Sequence, residues 1–411
     1  LDALVLLPLL VMLILMLKNK HMLVAGIFGG ITAMIIGQVG LADASKIIND
    51  TIPGMTSIIT PVIYSATALV IAKTGGFDAL LRLSRKVIGD RQYLIAMIIV
   101  LIQSLATYAA GLGAGNTMVT GPLAFAILGV VPQVVAGMAI GTAASFMTSP
   151  SGADAAAISK IAGVEIAQYS DTMLPFTVVM WIIAIAIAGI GTWKRGSILK
   201  EETAEPIPTK TLALRAVAPL YFLIVVVAGK YLNALIGDYA LFTPVFNMIS
   251  TLVIAIILTK RPIDEISEDL VQNSAFLLTK LFAIGIFLGF INILAKIGTF
   301  TYIAGFIKMA PEFITVPTAI LITFLIAIPA GGYSVGVSTL IMPILVESEL
   351  SLIQLGVAAL AIGLGTQMSP VQINVASLSQ SFKTDMPSII KFNAPYMIGL
   401  AIILCIVGLF V

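Results

Sequence analysis

The chain has 411 residues, 59% of them hydrophobic and only 10% charged, where a soluble domain carries about 25% charged residues. Most of its surface is therefore made to face lipid or other helices, and a formal net charge of +2 is too small to point to nucleic acid or an acidic polymer as partner. With a single cysteine and a single histidine, and no Gly-rich phosphate loop or nucleophile triad in the sequence, an internal disulfide, a Cys-based metal site, an ATP-driven pump and a hydrolase are all excluded.

Apolar runs long enough to cross ~30 Å of hydrocarbon recur along the chain. The first is predicted at 3–17; no cleavage site separates it from the next run, so it reads as a retained helix rather than a signal peptide. His21, beside Lys18 and Lys20, reads as a solvated loop residue. Spans at 22–40 and 52–72 follow. The arm 73–91 carries Lys73, Asp78, Arg82, Arg85, Lys86 and Arg91 and reads as an amphipathic, interfacial segment. Residues 92–130 form two apolar arms around Gly111, Gly113 and Gly115. A polar, Gly-rich turn is a poor loop in lipid, so this is predicted as a re-entrant helical hairpin shielded by protein. A helix at 133–166 is broken around Ser149-Pro150, and a span at 172–191 completes the first half. The stretch 192–213 has both signs of charge and two prolines, and reads as a cytoplasmic linker with Trp193 as an interfacial anchor. The second half repeats the plan: spans at 214–231, 241–259 and 273–294, an arm at 296–311, a hairpin at 312–347, a broken helix at 352–383 and a span at 387–411. Within it, Lys280 reads as a snorkelling lysine, Asn292 as facing the cavity, Glu347 and Glu349 as solvated loop residues, and Cys405 as a small buried hydrophobe.

The duplication is visible in the residues. Ala72–Phe77 and Ala295–Phe300 both read Ala-Lys-x-Gly-x-Phe, and each hairpin tip is followed by a proline, Pro122 or Pro343. Each broken helix carries a Ser-Pro pair, Ser149-Pro150 or Ser369-Pro370, and each half closes with a helix opened by Pro175 or Pro395. The halves are 1–191 and 214–411. An odd number of spans in each inverts one half relative to the other, and basic loops at 18–21, 73–91, the linker and Lys260-Arg261 agree with that count when placed on the cytoplasmic side. Duplicated, interrupted apolar segments are the sequence pointer to the binding site of a secondary transporter.

The candidate substrate-binding residues are therefore the tips and breaks: Gly115, Asn116, Thr117, Ser149, Ser151, Gly332, Tyr333, Ser334, Gln367, Ser369, Gln372 and Asn374. Glycines let the backbone approach a ligand, and helix N-termini offer N–H groups and a positive dipole end to a carboxylate. The candidate ion-binding residues are Asn116, Thr148, Asp154, Ser334 and Asn374, with Na⁺ expected at Asp154. An intramembrane carboxylate is a functional candidate by default; the alternative for Asp154 is a cap on the helix that begins near Ala155. Asn374 lies 220 residues on from Asp154, the offset between the two Ser-Pro pairs, so one repeat is charged where the other is neutral.

In the segments Gly111–Pro122, Gly141–Asp154 and Gly365–Gln372, the chain resembles the ion-transporter superfamily of secondary carriers, and within it the anaerobic C4-dicarboxylate carrier family. The resemblance implies an all-α, multi-pass membrane protein of two inverted five-span repeats, with a scaffold domain and a transport domain that moves like an elevator, commonly as a homodimer in a prokaryotic inner membrane. It implies a substrate and Na⁺ held between the hairpin tips and the helix breaks. The tips depart from the Ser-Asn-Thr of the sodium/dicarboxylate branch, reading Gly-Asn-Thr and Gly-Tyr-Ser here. The expectation is a secondary active transporter for a small organic anion, a di- or hydroxycarboxylate, coupled to Na⁺ or H⁺. No other cofactor, no enzymatic activity and no nucleic-acid partner are expected. The alternatives are a Na⁺/H⁺ antiporter of the same superfamily and the membrane subunit of a multi-component transport system.

Overall fold

The computed structural model describes residues 2–18, 20–56, 59–89, 91–111, 113–195, 207–237, 239, 241–332 and 334–411. Residues 196–206, half of the linker expected at 192–213, and Tyr333 lie outside the described residues.

After a 3₁₀ turn over Asp2–Leu6, helix α1 (Leu7–Leu17) pairs with α2 (Met22–Gly37). His21 is the N-cap of α2: its Nδ1 accepts from the Leu23 N–H at 3.2 Å, so the loop histidine is exposed but has a structural task. The span expected at 52–72 is instead divided between α3 (Leu41–Thr56) and α4 (Ile59–Lys73). Asp43, Lys46 and Asp50 give α3 a polar side that an apolar-run count begun at residue 52 misses, and Pro53-Gly54 weakens its last turn. The expected arm is the amphipathic α5 (Gly76–Ile88), with Arg82 bonded to Asp78 at 3.0 Å.

Hairpin 1 is α6 (Gln92–Ala110) and α7 (Gly113–Leu128); the first broken helix is α8 (Pro132–Thr148) and α9 (Ala153–Ala162). The long α10 (Ile166–Arg195) follows, then α11 (Thr209–Leu235) and α12 (Pro244–Thr259), whose N-cap Thr243 accepts from the Phe246 N–H. Helix α13 (Ile263–Lys296) bends by 55° into α14 (Thr299–Met309) at the left-handed Gly298. Hairpin 2 is α15 (Thr315–Ala330) and α16 (Ser334–Glu347); the second broken helix is α17 (Leu352–Thr366) and α18 (Ile373–Ser381), and α19 (Met386–Val407) ends the fold. Ser351 opens α17 with a reciprocal capping box to Gln354.

By length and composition, four stretches among the described residues suffice to cross a membrane: Ile166–Arg195, Thr209–Val226, Glu312–Ala330 and Met386–Val407, with the bent α13–α14 pair as a fifth. Shorter apolar stretches include Met22–Gly37, Gln92–Tyr108 and Leu352–Thr366. Glu312–Ala330, expected as one arm of a re-entrant hairpin, is thus long enough to span by itself. Large aliphatic side chains such as Ile35, Ile182, Ile257 and Ile402 point outward, which suits lipid rather than water.

The core is where the two broken helices cross. Residues Val134–Thr148 of α8 and Leu355–Thr366 of α17 are buried throughout. Small residues set their separation: a Cβ on Gly363 would stand 2.7 Å from Met147 Cγ and 3.1 Å from the Ala143 carbonyl. On either side of this crossing, α6 packs on α8 and α15 on α17, while α18 lies against α7 and α9 against α16. Each short helix after a break therefore meets the second hairpin arm of the other half.

Candidate functional site

The tips and breaks are fitted backbone to backbone. Gly111 ends α6 in the left-handed region at φ +69°, and a Cβ there would fall 2.2 Å from the Ser151 carbonyl oxygen. Gly331 ends α15 in the other half at φ −77°, outside the left-handed region, and a Cβ there would lie 3.0 Å from Thr366 Cα and 3.1 Å from Ser369 Cβ. Both breaks are shaped by the serine before the proline. Ser149 Oγ accepts from the Ser151 N–H at 3.0 Å, and Ser369 Oγ from the Val371 N–H at 3.4 Å, a local turn that holds the chain out of helix. Ser149 also donates to the Tyr108 carbonyl of hairpin 1.

Two polar crossings join the halves. In the first, Ser334 Oγ, at the start of α16, donates to Asp154 Oδ2 at 2.8 Å. Asp154 is 5% exposed and its Oδ1 has no hydrogen-bond partner. None of the ion pairs among the described residues includes it. In the second, Thr117 Oγ1 on α7 donates to Asn374 Oδ1 at 2.6 Å, and Asn374 Nδ2 donates to Gln367 Oε1 at 2.7 Å. Gln103, buried in α6, extends this chain. Its amide nitrogen donates to Thr117 and Thr142, each at 2.8 Å, and its Oε1 accepts from Thr120 at 2.6 Å.

The sequence-predicted residues thus divide. Asp154, Ser334, Thr117, Asn374 and Gln367 are brought into direct contact. Gly115 and Asn116 are buried beside them in the first turn of α7, and Gln372 is the N-cap of α18. Ser149, Ser369 and Gly332 shape the turns; Gly332 closes hairpin 2 against Ile284 and Leu288 of α13. Ser151 is exposed and contributes its backbone. The Thr148 hydroxyl bonds to Thr177 Oγ1 and donates to the Ala144 carbonyl, each at 2.7 Å, and so ties α8 to α10. The N-cap position of α9 is Gly152, and the Asp154 carboxylate, in the first turn, accepts from Ser334 across the halves. Asn292 does not face this centre; it donates to Thr51 on α3 at 2.9 Å. Glu347 pairs with Lys308 at 2.8 Å.

Gln103 is the residue the sequence reading missed. A glutamine in the interior of an apolar helix four residues before Thr107 was a signal of the same kind as Asp154, since an unpaired amide at that depth is costly. Chemically, the centre offers hydroxyls, amides and one carboxylate, with the N-termini of α7, α9, α16 and α18 close by. Among the described residues there is no group of three or more His, Cys, Asp or Glu side chains, so a cation here would depend on Asp154 together with hydroxyl and carbonyl oxygens. A surface cavity of about 500 Å³ lies apart from this centre, beside Gln133, Lys194 and Arg195.

The fold and this centre define an all-helical, multi-pass membrane protein with a buried polar core shared by its two halves. Solved structures with a similar chain path include the YdaH transporter of Alcanivorax borkumensis, at 14% identity and a TM-score of 0.39 over 90% of this chain and 89% of that one. No protein-family model matches the chain, and no curated protein does.

Proposed function

We propose that the protein is a secondary active transporter that moves a small organic anion, a di- or hydroxycarboxylate, across a cytoplasmic membrane, coupled to Na⁺ or H⁺. The observation that carries the reading is the pair of crossings in which a broken helix of one half bonds to a hairpin of the other, Asp154 to Ser334 and Asn374 to Thr117. Interrupted helices of this kind supply both halves of a coupled site: helix N-termini and hydroxyls for a carboxylate, and a carboxylate with carbonyls for a cation.

No basic side chain bonds to any of the crossing residues among the described residues, so a cation at Asp154 offsets part of the substrate's charge and makes coupling a requirement of binding. The two halves, 1–191 and 214–411, act as inverted repeats, and the hairpins with their broken helices move as one body past a scaffold formed by the remaining helices, in a homodimer. Substrate-dependent counterflow in proteoliposomes tests the reading; its absence for every carboxylate tried would overturn the organic-anion version. The second reading is a Na⁺/H⁺ antiporter, favoured by the buried Asp154 standing without an ion-pair partner. Proton flux on Na⁺ addition, with no organic anion present, distinguishes it.

A further inference from the structure

Two hollows away from the polar centre lie along one pair of helices. The first is the cavity of about 500 Å³, lined by Pro132 and Gln133 at the start of α8, Gly191, Lys194 and Arg195 at the end of α10, and Phe392 near the start of α19. The charged residues in that lining are Lys194 and Arg195, both exposed, and neither enters an ion pair among the described residues. Arg195 donates to the Val130 carbonyl, which holds its guanidinium at the cavity. On α19 and the turn before it, the exposed Lys383 and Lys391 outweigh Asp385. The second hollow is an apolar groove of about 280 Å³, with Phe176, Met180 and Ile183 of α10 on one side and Leu400 and Leu404 of α19 on the other. The buried Leu360 of α17 lies beneath it.

Helix register puts both hollows on one strip. On α10, Phe176, Met180, Ile183, Gly191 and Lys194 recur at the spacing of a single helix face. Gly191 lies eight residues after Ile183, and Phe392 lies eight residues before Leu400, so each helix sets the groove about 12 Å from the cavity. The two helices run in opposite directions and keep the hollows level with each other. One leaflet supplies about 15 Å of hydrocarbon, half of the bilayer core. Trp193, 68% exposed beside Lys194, is the residue type that marks headgroup level. A basic cavity at that level and an apolar groove at acyl-chain depth match the two ends of one lipid, and the positive lining selects an anionic one. We propose that this strip holds one anionic phospholipid, with its phosphate at Lys194 and Arg195 and an acyl chain in the groove between α10 and α19. The site depends on the protein spanning a membrane and not on what it transports.

Binding of radiolabelled phosphatidylglycerol to the delipidated full chain in detergent micelles tests it. Saturable binding is expected that phosphatidylcholine displaces only weakly and that inorganic phosphate, at equal ionic strength, does not displace. Replacing both cations, Lys194→Gln with Arg195→Gln, should lower the affinity roughly thirty-fold, from about 1 kcal/mol per basic residue and a tenfold change per 1.4 kcal/mol. Lys210→Gln, which removes a charge from the exposed start of α11, should leave it unchanged. Val179, which lines the groove and is 54% exposed, tests the acyl-chain end. Val179→Trp should weaken binding roughly ten-fold by excluding about two methylenes at about 0.8 kcal/mol each. Equal displacement by phosphatidylcholine, displacement by inorganic phosphate, an equal loss in Lys210→Gln, or an unaltered affinity in Val179→Trp would each overturn the proposal. If the double variant does not fold, Lys194→Gln alone decides, with a loss of roughly five-fold expected.

Discussion

The tightest contact at the centre is also the easiest to perturb cleanly. A methyl group added at Gly111 meets the Ser151 carbonyl oxygen at 2.2 Å, its carbon at 2.5 Å and the Gly152 nitrogen at 2.8 Å. All three are backbone atoms, so no side chain can swing aside. The residue also sits at φ +69°, where a side chain costs about 1–2 kcal/mol by itself. Forcing hairpin 1 away from the first break adds about 1–3 kcal/mol, the usual range for an overpacked core. Gly111→Ala should therefore cost about 2–5 kcal/mol in all. Gly129 supplies the control. It has φ +65° and nothing within 4 Å of its would-be Cβ, so Gly129→Ala should cost only the conformational part, about 1–2 kcal/mol.

Denaturant titration of the two variants in the same detergent measures the difference, and counterflow measures its consequence. Gly111→Ala should be the less stable by about 1–3 kcal/mol and should lose most of its counterflow, while Gly129→Ala keeps it. Equal stabilities, together with retained counterflow in both, would show that the tip does not rest on the break as tightly as the backbone geometry requires.

Three other changes have defined outcomes. Ser334→Ala removes a hydrogen bond to Asp154 Oδ2 that crosses between the halves, a bond to a charged acceptor worth about 1.5–3 kcal/mol; Na⁺-dependent thermal stabilisation should shrink with it, and an unaltered Na⁺ response would contradict the assignment. Gln103→Leu keeps the volume of the side chain but strips Thr117 and Thr142 of an amide donor and leaves Thr120 with the Asn116 carbonyl alone as acceptor among the described residues; a loss of about 1–3 kcal/mol is expected in unfolding titrations, against little change if the network were decorative. At the far end of α13, hydrogen bonding from Lys73 holds the Asp269 carboxyl below the ordinary carboxylate range, with Arg261 acting in the same direction. A carboxyl depressed in the folded state contributes above its unfolded pKa, near 4, and the contribution disappears as pH falls through the lower folded value. Because the pair sits at the solvated edge, where screening limits it to about 0–1 kcal/mol, Asp269→Asn should lie slightly below wild type at pH 6 and match it in strong acid; a gap that widened on acidification would reverse the argument.

Much of this architecture was legible because apolar runs, glycines and prolines act locally. Gly111 and Gly331 mark the tips, Ser149-Pro150 and Ser369-Pro370 mark the breaks, and the helices end within a few residues of where those signals place them. The division of 52–72 into α3 and α4 was not legible, because the apolar run continues through Pro53-Gly54 and the polar face of α3 begins eleven residues earlier, at Leu41. The polar residues inside the apolar segments were legible, but not their pairing. Nothing local in the sequence says that Thr148 spends its hydroxyl on Thr177, 29 residues away, while Thr117 reaches Asn374, 257 residues away. Those choices are made by which helix faces which once the core has closed.

The same limit explains Gln103. A polar residue in an apolar helix announces a need for partners without naming them, and the need was noticed only where it carried a charge. In the structure Gln103 and Asp154 answer to each other's absence. Where Gln103 supplies an amide, the crossing at Asn374 is a chain of neutral hydrogen bonds; where the second half has Thr323 instead, the crossing holds a buried carboxylate bonded to Ser334. Burial leaves such a group two outcomes, neutralisation or a bound partner. The chemical difference between the two crossings is carried by two pairs of positions, 103 with 323 and 154 with 374.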